Sequence, residues 1–132
     1  MAQTETPILA LDVTATPEAL QQIRALIYET SEDLSDAART DLLLAVGEAV
    51  ANAVRHGSPH GPRDRVLIVW RRSGSSVTVT IYDNGRPFQP PLAPPPIDHG
   101  SGRGVFIMRR CVDSVRFLRS STGNAVILEK RV

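Results

Sequence analysis

The segment from Asp41 to His56, DLLLAVGEAVANAVRH, permits little except a helix. Leu42, Leu43, Val46, Val50, Ala53 and Val54 return at steps of three and four and form one apolar stripe. Glu48, Asn52 and His56 are spaced four apart and share another stripe, far round the cylinder from Leu42 and Val46. Ala45, Ala49 and Ala51 flank that polar row and leave space beside it. A carboxylate and an amide one turn apart, with such space, could hold a metal ion and a water. Most polar helix faces are only solvated surface, so the chemistry has to be decided by other segments.

The helix has clear limits. Ser35 or Asp36 can cap its start, and Gly57 is placed to stop it. Upstream, Ile8 to Val13 alternates apolar and polar residues and predicts a short strand at a sheet edge. Thr16 and Pro17 then predict a helix start, with a hydroxyl cap and a proline in the first turn. Leu20, Ile23, Ala25, Leu26 and Ile27 carry this first helix to about Thr30, and Ser31 to Ser35 breaks it. Downstream, Ser58 to Asp64 reads as a loop.

Val66 to Trp70 is a β-rich run, and Arg71 to Ser75 reads as a hairpin turn around Gly74. Ser76 to Asp83 alternates strictly: Val77, Val79 and Ile81 face one way, Thr78, Thr80 and Tyr82 the other. Asp83 is in phase with the valines, so it should emerge on the core side, where a carboxylate is costly unless something binds it. It also reads as a turn-starting aspartate before Asn84-Gly85.

Arg86 to Ser101 contains Pro87, Pro90, Pro91, Pro94, Pro95 and Pro96, and so is neither helix nor central strand. Too few residues follow for a second domain of usual size, which favours a lid or binding loop over a linker. Val105 to Cys111 looks helical. Ser114 to Ser120 and Asn124 to Val132 read as a last strand pair joined at Thr122-Gly123. The expected fold is α+β: a single domain over residues 1–132, a two-layer sandwich with three helices on one face of a largely antiparallel sheet.

Composition excludes several classes. A net charge of +1 gives no electrostatic case for nucleic acid. Cys111 is the only cysteine, so neither an internal disulfide nor a zinc cluster fits, and a cytoplasmic setting is expected. No apolar run reaches membrane-spanning length, and the N-terminus lacks the pattern of a secretory signal.

Three pieces converge on one ligand class. A carboxylate on the inner sheet face, Asp83, can accept a hydrogen bond from an exocyclic amine such as that of adenine. Gly85 lets the backbone approach a flat base. Gly100, Gly102 and Gly104 open a helix and leave backbone N–H groups free for phosphate oxygens. Asn52 offers an oxygen to Mg²⁺, and Glu48, one turn away, could accept a proton from an attacking hydroxyl. The glycine cluster alone is a weak signal, because it lacks the lysine and hydroxyl of a P-loop. The three pieces in this order are far more specific.

On these residues the chain resembles the GHKL superfamily of ATP-binding domains, which has the Bergerat fold. It is most similar there to the bacterial anti-sigma-factor serine/threonine kinases of partner-switching systems. The first box is Glu48-Ala49-Val50-Ala51-Asn52-Ala53-Val54-Arg55-His56-Gly57. The second is Asp83-Asn84-Gly85-Arg86-Pro87-Phe88. The third is Gly100-Ser101-Gly102-Arg103-Gly104-Val105-Phe106-Ile107-Met108, continuing to Asp113.

The resemblance implies ATP and Mg²⁺ as cofactors, with Asn52 on the metal, Asp83 on the adenine amine and Gly85 making room for the base. Gly102 and Gly104 would close on the phosphates, and Glu48 would be the general base. It implies a kinase that binds a sigma factor and phosphorylates a STAS-type anti-sigma antagonist, and homodimers are common in such families. The alternative is an ATP-binding switch that sequesters a sigma factor with little turnover. Departures are Pro87, where many members have a second glycine, and Asn124-Ala125, where a threonine often follows the glycine near the base. Arg103 would either touch the terminal phosphate or lie exposed. His56 would serve the helix end more than the ligand. Trp70, Phe106 and Cys111 are expected in the core.

Overall fold

Five strands are described: β1 (Ile8–Thr14), β2 (Arg65–Ser73), β3 (Ser76–Asp83), β4 (Ser114–Ser120) and β5 (Gly123–Arg131), of which β3 is the richest in β-branched residues. The helices are α1 (Ala19–Thr30), α2 (Asp36–His56) and α3 (Gly104–Cys111). The structure is a computed structural model and describes residues 8–56, 63–85 and 103–132. The expected proline-rich lid, and with it Gly100 and Gly102, lies outside the described residues, as does Gly57.

The sheet order is β1-β2-β3-β5-β4, and every pairing is antiparallel. The expected two-layer α+β fold is therefore the observed one, with three helices on an open five-stranded sheet. Val77, Val79 and Ile81 of β3 are buried, and so are Ile68 and Trp70 of β2 and Val126 and Leu128 of β5. They meet Ile23 and Ile27 of α1, Leu42, Val46 and Val50 of α2, and Met108 of α3. Lys130 ties three elements together: its Nζ lies 3.1 Å from the Asp41 carboxylate on α2 and donates to the Cys111 carbonyl of α3 at 2.9 Å. Cys111 is buried as expected, and burial pushes its thiol pKa up.

The helices leave the other sheet face open. There Leu67 pairs with Tyr82, Tyr82 with Ala125, and Ala125 with Leu118, so one apolar row crosses the sheet. Leu67, Tyr82 and Leu118 in that row are all exposed.

Several local expectations are corrected. Helix α1 begins at Ala19, later than the Thr16 hydroxyl cap implied; Glu18 holds the N-cap position without a side-chain cap, and the Thr16 carbonyl accepts from the Ala19 N–H. Ser35 does cap α2, accepting from the Ala38 N–H at 3.1 Å. The first hairpin turn is tighter than Arg71 to Ser75, because β2 runs on to pair Ser73 with Ser76 around Gly74 at φ +55°. In the last hairpin Ser120 pairs with Gly123, so Ser121 and Thr122 make the turn. Phe106 is half-buried rather than core, with the Arg109 guanidinium 5.7 Å from its ring centroid. Along α2, Leu43 and Val54 are only half-buried, whereas Ala45 and Ala49 are buried. Small residues there let the helix approach the sheet closely.

At Gly123, β5 passes close to the end of β3. Its φ is +146°, and a Cβ there would come 1.9 Å from the Asp83 carbonyl oxygen. Gly123→Ala should therefore cost about 2 kcal/mol and lower the melting temperature by roughly 8 °C. Gly74→Ala, where nothing lies within 4 Å, should cost clearly less. Equal melting of the two variants would mean that β3 and β5 do not meet so closely.

Candidate functional site

Asp83, the last residue of β3, stands opposite Asn124 in the β3–β5 register. Both share the inward phase of their strands, Asp83 with Ile81 and Asn124 with Val126. Asn124 is buried at 7% exposure, while Asp83 is half-buried. The Asn124 amide donates from Nδ2 to Asp83 Oδ1 at 3.0 Å, and the Gly85 N–H donates to the same oxygen at 2.8 Å. Desolvation by burial pushes the Asp83 carboxyl above the usual carboxylate range, and these two donors act against that rise. The two readings of Asp83 thus coincide: it starts a turn through Gly85 and it presents a carboxyl on the helix side of the sheet.

The recess beside Asp83 is walled by Ala49, Asn52, Ala53 and His56 of α2 and by Phe117 and Arg119 of β4. Ala49 and Ala53 are small enough to let the sheet end face the helix directly. The recess measures about 20 Å³, room for about one water molecule. Of the residues in its wall, His56 and Arg119 are exposed and Phe117 is half-buried. Asn52 shares this recess with Asp83, and its Oδ1 lies 3.5 Å from Arg55 Nη2, a long contact.

Glu48 is not in that recess. It lines a separate groove of about 340 Å³ between α1 and α2, with Thr16, Pro17, Leu20, Ala51 and Arg55. Helix α3 begins against it: a Cβ on Gly104 would sit 3.0 Å from Glu48 Oε2. The structure therefore brings Asn52 to Asp83, and Gly104 to Glu48, from neighbouring positions on one face of α2. Arg103 occupies the N-cap position of α3 and is half-buried. His56 is exposed in the last turn of α2.

Asn124 is the residue that sequence reasoning passed over, noting it only as a departure. Its signal was present: an asparagine in phase with Val126 and Leu128 on a strand is a buried amide that needs a partner. Among the described residues no group of three or more His, Cys, Asp or Glu could hold a metal ion. Mg²⁺ keeps several waters and takes few protein ligands, so a single amide oxygen such as that of Asn52 suits it without such a cluster. Among the described residues no helix is long and apolar enough to cross a membrane.

Residues 13–130 match the family model described as histidine kinase-like ATPase domain. No curated protein matches the chain. Among solved structures, the RsbU and RsbW domains of Rv1364c from Mycobacterium tuberculosis superpose with a TM-score of 0.73 at 21% identity, covering 95% of this chain and 32% of that one. The histidine kinase domain of the Erythrobacter litoralis EL346 blue-light activated histidine kinase gives a TM-score of 0.57 at 20% identity, over 85% of this chain and 58% of that one. A second structure, of the blue-light activated kinase itself, gives 0.60 at 21% identity, over 85% and 40%. The chain thus spans between about a third and three fifths of the chains it resembles.

Proposed function

The chain belongs to the histidine kinase-like ATPase domain family, and we propose that it is an ATP- and Mg²⁺-dependent serine/threonine protein kinase acting as an anti-sigma factor. Its protein substrate is a STAS-type anti-sigma antagonist, and it works in the cytoplasm. The observation that carries the reading is the half-buried Asp83 carboxyl, aimed into a recess it shares with Asn52. ATP binding follows from the family; the acceptor, the metal and the partners are the proposal. The superposition with the RsbW-containing chain accords with it.

In this reading Asp83 accepts a hydrogen bond from the adenine amine, and Gly85 keeps the strand end thin beside the base. Asn52 gives its oxygen to Mg²⁺, which would neutralise charge on the phosphates. Arg103 and Gly104, at the start of α3 where the helix end favours negative charge, bind those phosphates, and Gly100 and Gly102 are assigned to the same ligand. Gly104 also leaves room for the Glu48 carboxylate. Glu48 takes the proton of the acceptor hydroxyl as that oxygen bonds to phosphorus and the bond to the leaving oxygen breaks. Phosphoryl transfer of this kind asks for positioning and charge balance more than for unusual side chains. The groove between α1 and α2 that Glu48 lines gives the acceptor its approach. A homodimer would use the open sheet face, where Leu67, Tyr82 and Leu118 are exposed.

The test is direct. With Mg-ATP, phosphate should appear on a serine or threonine of a purified STAS protein encoded beside a sigma factor. Binding of a fluorescent adenine nucleotide without any transfer would replace the kinase by a sequestering switch. Failure to bind the nucleotide would remove the site assignment.

A further inference from the structure

The Asp83 carboxyl is held from one side. Both of its hydrogen bonds, from Asn124 Nδ2 at 3.0 Å and from the Gly85 N–H at 2.8 Å, fall on Oδ1. Oδ2 is therefore the oxygen left to face a ligand. An oxygen that receives two N–H donors carries no proton, so any proton on this group would have to sit on Oδ2. The Gly85 contact is local, spanning two residues, and would tolerate a rotated carboxyl. The Asn124 contact spans 41 residues and links two central strands, so it alone fixes the carboxyl to the sheet.

We propose that Asn124 is a positioning residue: by holding Oδ1 of Asp83 it presents Oδ2 as a pure acceptor and makes the recess select adenine over guanine. The inference rests on the nucleotide-binding reading above. With the base in one orientation, adenine offers an amine where guanine offers a carbonyl oxygen. An ionised Oδ2 bonds the first and repels the second, and in a half-buried site that repulsion is poorly screened. An Asp83 free to rotate, or protonated on Oδ2, could donate to the carbonyl and would lose this discrimination. Asn124 does the work without a charge of its own. Among the described residues, the other charge-bearing side chains lining the recess are His56 of α2 and Arg119 of β4.

Asn124→Leu keeps the volume and removes the donor; Asn124→Thr returns a shorter one. Two readouts are taken in each, after melting confirms a folded chain. In ligand-free protein, the Asp83 carboxyl is titrated by carbon NMR, and again with His56→Gln so that the histidine does not distort the curve. The Leu variant should titrate at higher pH than the parent, since a donor that favours the ionised form is gone. In binding assays with adenine and guanine triphosphates, the Leu variant should lose about 10-fold in adenine affinity, the loss expected for one hydrogen bond to a charged group. Guanine affinity should stay level or rise, and the Thr variant should recover part of both effects. An unchanged adenine-to-guanine ratio, or an unmoved Asp83 titration, in a folded Leu variant overturns the inference alone. A parent chain that binds no adenine nucleotide overturns the functional reading, and the selectivity falls with it.

Discussion

Glu48→Gln is expected to slow phosphate transfer to the STAS acceptor by about 10²- to 10⁴-fold, the range of a lost general base. Nucleotide affinity should stay within about 2-fold of the parent, because one side chain of equal size gives little binding change away from the base. The geometry separates the two effects. Glu48 lines the groove between α1 and α2, while Asp83 and Asn52 line the recess on the sheet side. Glutamine fills the same space beneath Gly104, so the packing of α3 on α2 is preserved. Single-turnover transfer and fluorescent-nucleotide titration, run side by side, check both halves. Transfer at the parent's rate would show that Glu48 takes no proton. A large loss of nucleotide affinity would show that it belongs to the nucleotide site instead.

Asp83→Asn should act the other way round. Nucleotide affinity should fall by about 100-fold, since a charge-assisted bond is lost and an amide N–H would meet the adenine amine. The ligand-free protein should become more stable. Burial raises the folded-state pKa of Asp83 above its unfolded value near 3.8, so the folded chain binds the extra proton. Stability contributed by this group then falls as pH rises from the unfolded value through the folded one, and stays low above it. Asparagine carries no charge to desolvate, and its oxygen still accepts from Gly85 and Asn124. The variant should melt above the parent at neutral pH, and the difference should shrink towards pH 4. Equal melting at both pH values would mean that the carboxylate is fully solvated. An undiminished affinity would place the base elsewhere.

Periodicity made much of this molecule legible. The α2 stripe, the alternation of β3 and the phase of Asp83 each follow from repeats of 3.6 or 2, and packing leaves such repeats intact. Element order and sheet class followed from them. What escaped was set by partners distant in the chain. Ala45 and Ala49 are buried because the helix meets the sheet closely, and alanine advertises neither burial nor exposure. Glu48 and Asn52 lie one turn apart, yet Glu48 lines the groove beside α1 and Asn52 the recess beside the sheet, which no local pattern encodes. Asn124 was visible as an oddity, but its partner lies 41 residues away. The turns were misplaced by up to three residues because pairing decides how far a strand continues: Arg71 to Ser73 still pair with β3, and Gly123 already pairs with Ser120.

One consequence of the strand order concerns biosynthesis. Strand β5, the last described strand in the chain, lies between β3 and β4. The wall that braces Asp83 therefore does not exist until residue 124 has left the ribosome and its strand has slotted into the sheet. A nascent chain carries Asp83 long before the strand that holds its carboxyl has been made, so the recess beside it takes shape only once that strand is in place.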